Sequence, residues 1–405
     1  MLIVITNGYP FGGEPFLQSE APYLPEDTVF FAISADPHAK KGTEHRDAYR
    51  IGDGSATANS YFNAARALFD REIYKEIGIL KKGRKLSTSS IRRLLSTYGS
   101  AWTHYKKITD ILDKNYPGCV VEDFIVYSYW MDVHAVIAVL LKRKYGNVKT
   151  VSRCHGYDLY EYRHKTNYIP FRKLVFSSLD VIAPISDNGK HYLIETYGDH
   201  FAGKLKVFRL GTKDVGLNPV ADNEMFTIVS CSSITKVKRL GLIVEALSCL
   251  KIPVKWVHFG DGDQGTAIKK LAVEKLDNST IEYVFMGQTE KTEILQYYTN
   301  NHIDLFINTS ESEGIPVSVM EAMSCGIPVV ATDVGGTSEI VMDGINGKLV
   351  MKDAGPETIA DALMTFVEMD ENETSEYRKE ARETWRKNYQ DKVNFKRFAE
   401  MLESL

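Results

Sequence analysis

SESEGIPVSVMEAMSCGIPVVATDVGGTSEIV, residues Ser310 to Val341, strings together a turn bearing carboxylates, an amphipathic helix, a buried strand and a Gly-Gly loop. The preceding HIDLFINTS is an apolar run that reads as a buried strand of a parallel sheet ending at Thr309-Ser310. Gly314 and Pro316 then break the extended backbone, and Pro316 has no amide to donate. From Val317 the spacing turns helical, with Val319, Ala322 and Met323 on one side and Gly326 as a left-handed residue closing the helix. Ile327 to Thr332 is the next strand. A turn placed between strand and helix in this way lies at the carboxyl end of a parallel strand, where open α/β sheets bind ligands, and the helix start offers free amides to an anion.

Glu313 and Glu321 are eight residues apart around that turn. At ~3.6 residues per helical turn, the two carboxylates can point toward one cleft from different depths. A plainer alternative exists: Ser318 to Glu321 fits a capping box, and Glu311 and Glu313 are charges of the kind favoured near a helix start.

The E-x7-E spacing of Glu313 and Glu321, the AMSCGIPVVATDVGG run, Glu339 and then Asp343-Gly344-Ile345-Asn346-Gly347 resemble the donor-binding signature of retaining family-4 glycosyltransferases, of the type that builds bacterial capsule, exopolysaccharide or lipopolysaccharide. The resemblance implies an α/β protein of GT-B fold, with two Rossmann-like doubly wound domains facing a central cleft. It also implies an activity: a hexose-type sugar passes from a nucleotide-diphosphate sugar to a hydroxyl of a glycan or lipid-linked glycan, with retention and without a required metal or cofactor. On the same resemblance Glu313 meets the sugar as a catalytic residue, Glu321 takes the ribose, and Gly314, Ile315, Pro316 and Val317 face the diphosphate. A ribose offers paired hydroxyls to a carboxylate, and a helix start offers amides to a departing diphosphate.

Composition has the balance of an ordinary soluble globular protein. At 405 residues the chain exceeds the ~250 to 300 at which single cores stop growing, so two domains are expected. Hydrophobic residues make up 44% and charged residues 25%; 49 basic and 53 acidic residues give a net charge of −4, which does not suggest a nucleic-acid binder. The five cysteines, Cys119, Cys154, Cys231, Cys249 and Cys325, have no metal-ligand spacing and read as free thiols of a reducing cytoplasm. No stretch reads as a signal peptide or a bilayer span.

In the first half, Leu2 to Thr6 reads as a strand that leads into a glycine-rich turn with Gly12 and Gly13, followed by a helical segment near Phe16 to Tyr23. Such a turn is commonly only a turn; the resemblance makes it a loop facing the donor diphosphate and the acceptor. Further strands are expected at Thr28 to Ser34, from Asp123, from Lys149 and at Asp180 to Ser186. Residues 77–95 carry Lys81, Lys82, Arg84, Lys85, Arg92 and Arg93 with interleaved Ile77, Leu80, Leu86, Ile91, Leu94 and Leu95. That pattern suits either a solvated helical face or one lying on an anionic membrane, at the inner face of the plasma membrane. After the strand from Lys149 comes His155-Gly-Tyr-Asp158; a histidine at a strand end is often structural, and the resemblance makes this H-G-x-D turn the family's loop facing the donor sugar, with His155 catalytic and Asp158 donor-binding.

The polar stretch Lys213 to Glu224 reads as a linker. Expected bounds are 1–212 for an acceptor-side domain, 213–385 for a donor-binding domain, and 386–405 for a terminal helix that family members return to the first domain. After the strand at Phe226, Lys238 falls where the family has its diphosphate-binding lysine. Ser233 stands where the family has an arginine, so one expected cation is missing and Lys236 or Arg239 is left to substitute. Two alternatives share the nucleotide cleft: a nucleotide-sugar epimerase or hydrolase, and a non-catalytic nucleotide-binding scaffold. A dinucleotide dehydrogenase is disfavoured because no G-x-G-x-x-G follows the first strand.

Overall fold

The structure is a computed structural model that describes residues 1–405 except 12–13, 34–45, 53–65, 118–123, 147, 222–224 and 278. Short runs such as LIVIT, LFIN and VVAT are buried on both faces, as central parallel strands must be when helices cover both sides of a sheet. Strands β1 (Leu2–Thr6), β2 (Val29–Ala32), β3 (Ala48–Arg50), β4 (Phe124–Ser128), β5 (Val148–Cys154) and β6 (Val181–Pro184) form one parallel sheet in the order β3-β2-β1-β4-β5-β6. Strands β7 (Phe226–Cys231), β8 (Val254–Phe259), β9 (Ile281–Gly287), β10 (Leu305–Asn308), β11 (Val329–Thr332) and β12 (Gly347–Val350) form the second, ordered β12-β11-β10-β7-β8-β9. Counted within its own half, each sheet has the doubly wound order 3-2-1-4-5-6. The order reverses between β1 and β4 in one sheet and between β7 and β10 in the other, and ligands of such sheets bind at the reversal.

The chain divides into two compact units, Met1–Phe208 with Phe395–Leu405, and Arg209–Asn394. In the first, Phe398, Met401 and Leu402 of the last helix pack among Leu2, Val4, Phe30 and Tyr127. Beneath them Arg153 and Glu20 form a fully buried ion pair at 2.7 Å, with the ring of Phe398 4.0 Å from the guanidinium carbon. In the second, Trp256, Leu305 and Ile307 pack with Val244 and Leu247 of the helix Leu240–Cys249 and with Ile359 and Leu363 of the helix Pro356–Val367.

Four local readings change. The terminal helix is two helices, Glu371–Asn388 and Asp391–Glu403, because Thr212 inserts at the break: its amide donates to Tyr389 O at 2.9 Å and its carbonyl accepts from Asp391 N at 3.2 Å. Gly211 permits this approach, since a Cβ there would lie 2.4 Å from Asp391 N. The supposed linker is tied down at Asn218, which is buried and bonded to Asn301 O, Ile303 N and Arg378. Strands β3 and β12, three and four residues long at sheet edges, were not expected.

The fourth change concerns residues 77–95. Leu80 and Leu94 are buried in the first core, and Ile77, Ile91 and Leu95 pack against it. These apolar residues of the segment are therefore used inside the protein. Lys85 pairs with Glu161 at 2.6 Å, and Lys81, Lys82, Arg84, Leu86 and Arg92 remain exposed. Among the described residues no helix is long and apolar enough to cross a membrane.

Candidate functional site

Because β7 and β10 are neighbours at the reversal of the second sheet, the loops that leave them run side by side. Lys238 comes from the first loop and Glu313 from the second, and Lys238 Nζ lies 2.6 Å from Glu313 Oε1. One backbone bond and one side-chain bond hold the loops in register: Glu311 N donates to Val237 O at 2.7 Å, and the Arg239 side chain donates from Nε to Thr309 O at 2.7 Å. Asn308, the last residue of β10, places its side-chain amide 3.5 Å from the same Glu313 oxygen.

The Gly-Gly loop explains itself against this turn. Gly336 N donates to Gly314 O at 2.7 Å, and a Cβ on Gly335 would lie 1.9 Å from Glu313 O. Gly335 also has φ of 58°, a left-handed conformation that glycine adopts without steric cost. Two adjacent backbones therefore pack with no side chain between them, and the Glu313-Gly314 turn is shaped from behind.

The helix Val317–Ser324 begins at Pro316 with no side-chain cap, so its first amides have no helical or side-chain partner. The capping-box alternative does not form: the Glu321 carboxylate is directed to Lys291, first residue of the helix Lys291–Asn300, at 2.7 Å. Gly326 closes the helix with φ of 74°, as its position implied. Glu313 and Glu321 are both 7% exposed and each faces an ammonium. Cys231, at the end of β7, lies within the same field: burial and the Glu321 charge push its thiol up to about 12, against the pull of Lys238 and Lys291.

Ser233 is exposed in the loop after β7, and so is Lys236. Arg239 does not stand in for the absent arginine in this structure, because Nη1 donates to Lys352 O at 2.6 Å while Nε is held by Thr309. Ile315 is buried beneath the turn and contacts the Gly336 position. Lys291 had no signal in the sequence, since its partner lies thirty residues away on another element.

In the first unit, His155 follows β5 and is 8% exposed. Its amide donates to Asp158 Oδ1 at 2.7 Å, and Met131 N donates to Asp158 Oδ2 at 2.6 Å. Asp158 was expected at the donor; here both of its oxygens are committed to backbone amides, and it ties the loop after β4 to the loop after β5. Arg172 reinforces this tie, donating to the carbonyls of Met131 and Asp158. The His155 ring packs against Tyr129 and Trp130, at centroid distances of 4.8 and 4.5 Å, with those two rings themselves 5.6 Å apart; neither ring nitrogen has a hydrogen-bond partner among the described residues, and Nδ1 lies 3.8 Å from Asp158 Oδ2. Glu14, after β1, accepts from Trp130 Nε1 at 2.6 Å, a contact that sequence reasoning missed. Gly12 and Gly13 lie outside the described residues.

Residues 218–388 match the family model described as "Glycosyl transferases group 1". This stretch is a group 1 glycosyl transferase module. The chain is 25% identical over 238 residues to N-acetyl-alpha-D-glucosaminyl L-malate synthase of Bacillus anthracis, covering 56% of this chain and 60% of the relative. It is 28% identical over 235 residues to the amylovoran biosynthesis glycosyltransferase AmsK of Erwinia amylovora, covering 54% of each. The chain thus spans little more than half the length of these curated relatives. Among solved structures it superposes on Anabaena Alr3699/HepE in complex with UDP-glucose with a TM-score of 0.68 and 17% identity, covering 100% of both chains. The group 1 module and its companion unit have the GT-B fold. Lys238, Glu313, Glu321 and the Gly335-Gly336 loop all lie inside the matched module.

Proposed function

We propose that the protein is a retaining, metal-independent glycosyltransferase of cell-surface polysaccharide synthesis, moving a hexose-type sugar from a nucleotide-diphosphate sugar to a hydroxyl of a glycan or lipid-linked glycan. The observation that carries this reading is the meeting of Lys238 and Glu313 at 2.6 Å across the strand-order reversal of the group 1 module, with Glu321 one helix away. A diphosphate leaving group needs positive charge and oriented donors, and Lys238 with the open helix start at Val317 offers both. Ligand phosphate displaces Glu313 as the partner of Lys238, and the freed carboxylate holds the hydroxyls beside the reacting carbon. Glu321 accepts from the ribose hydroxyls, and Gly314, Ile315 and Pro316 shape the turn behind the phosphates.

In the transfer, the acceptor oxygen bonds to the anomeric carbon on the face that the diphosphate leaves. The bond from that carbon to the phosphate oxygen breaks, and the acceptor proton passes to the departing diphosphate. His155 serves as a sugar-hydroxyl contact, its Nε2 having no partner among the described residues. The names of the relatives and the UDP-glucose bound by the Anabaena protein support a nucleotide-sugar donor.

The test is product analysis with a panel of UDP- and GDP-sugars, with and without glycan and lipid-linked acceptors. Transfer with retained anomeric configuration supports the reading. Free sugar or an epimer without acceptor points instead to a hydrolase or epimerase. Calorimetric binding of UDP or GDP with no turnover under any condition points to a scaffold, the reading that Ser233 favours.

A further inference from the structure

The sheet of the first unit has its own strand-order reversal, between β1 and β4, and this crevice is filled by the chain itself. The amides of Asn7, Gly8 and Tyr9 converge where β1 ends, a concave cluster of the sort that takes anions. The anion they hold is the Glu14 carboxylate: Asn7 N donates to Oε1, and Gly8 N and Tyr9 N donate to Oε2, each at 3.0 Å. The Thr6 hydroxyl also donates to Oε2. A fifth donor comes from the other side of the reversal, where Trp130 Nε1 lies 2.6 Å from Oε1. Burial opposes ionisation of Glu14, but the bonds from Thr6, Tyr9, Trp130 and Gly8 outweigh it and hold the carboxyl below its usual range. The residue sits at φ 69° and ψ 58°, a left-handed backbone that favours glycine.

Through Trp130 this clamp reaches His155. The indole, fixed at its nitrogen, lies 4.5 Å from the His155 ring at 48°, and Tyr129, packed against both, lies 4.8 Å from the imidazole. His155 is aimed by ring packing and by its backbone bond to Asp158; its Nδ1 faces Asp158 Oδ2 at 3.8 Å, and its Nε2 has no partner among the described residues. We propose that Glu14 is a positioning residue for His155: it occupies the anion-accepting crevice of the first unit and sets the imidazole through the indole of Trp130. The inference rests on the reading of His155 as a residue of the transfer site.

The experiment compares Glu14→Gln, Trp130→Phe and the double variant with the wild type by two independent readouts. The first is the ε1 signal of His155 in protein carrying labelled histidine, assigned by its loss in His155→Gln. Glu14→Gln and Trp130→Phe are each expected to shift this signal, with cooperative unfolding retained. The second is transfer kinetics: Glu14→Gln lowers kcat at least about ten-fold with KM for the nucleotide sugar within about two-fold, and the double variant loses no more than Glu14→Gln alone. An unmoved His155 signal in folded Glu14→Gln overturns the proposal, as do additive losses in the double variant. If Glu14→Gln does not fold, Trp130→Phe decides alone by the same two readouts. If the wild type transfers no sugar, or His155→Ala is fully active, the functional reading fails while the His155 signal still decides whether Glu14 positions the ring.

Discussion

Lys238 Nζ and Glu313 Oε1 stand 2.6 Å apart although seventy-five residues separate them in the chain. Each neutralises the other, so the Glu313 carboxylate is not buried as a lone anion. A diphosphate competes for the lysine and releases the glutamate to the sugar.

Glu313→Gln keeps the shape of the side chain and removes its charge. Transfer is expected to fall by on the order of 10²-fold or more, as when one transition-state contact is removed, while nucleoside diphosphate binding persists. Initial rates and calorimetry on the same preparation check this, and unaltered turnover would sink the role assigned to Glu313.

Lys238→Met removes the cation that meets the phosphates. Nucleoside diphosphate affinity is expected to fall by roughly 1.5–3 kcal/mol, the range for a bond to a charged group. The dependence of binding on salt should also flatten, because one charge pair is lost. Titrations of UDP and GDP at two ionic strengths measure both effects.

Gly335→Ala and Gly344→Ala separate a clash from a strained backbone. Both glycines have positive φ, 58° and 73°, but a Cβ at 335 meets Glu313 O at 1.9 Å whereas at 344 nothing lies within 4 Å. Gly344→Ala should cost about 1–2 kcal/mol from the left-handed backbone alone. Gly335→Ala should cost more and also lower transfer, since the Glu313 turn must move. Urea melts with parallel rate measurements give the comparison; equal costs at the two positions would contradict the close approach.

His258, buried in β8, gives the second unit a pH dependence. Burial lowers its pKa to about 4, against the Ser232 backbone bond and Asp261, which favour the proton. The unfolded chain takes up that proton near 6.5, so the unfolded state binds more protons between the two values. The stability tied to neutral His258 is therefore complete above pH 6.5 and is lost as pH falls toward 4, by on the order of 3 kcal/mol. Urea midpoints at pH 7 and pH 4.5 should differ in the wild type and differ less in His258→Gln.

Much of the site was legible before any fold was in hand. Glu313, the Pro316 stop, the helix to Ser324 and the closing Gly326 are written in adjacent residues, because turns, caps and helical spacing are set by neighbours within a few positions. The strand runs around Leu2, Phe226 and Leu305 were equally plain, since a doubly covered strand must be apolar on both faces. For residues 77–95 the periodicity showed an apolar side and a basic side but not that the first core would claim the apolar one.

The amino-acid sequence alone determined the repeating strand-helix units, the composition of the turn at Glu313 and the spacing of its two acids. Only the tertiary structure decided that Lys238 meets Glu313, that Lys291 meets Glu321, that Gly335 lets one backbone lie against another, and that Glu14 fills the crevice of the first sheet. These partners come from strand order: β1 beside β4 and β7 beside β10 are neighbours because each sheet buries its faces in a doubly wound arrangement. Strand order is set by burial summed over the whole sheet, and no local pattern of residues contains it.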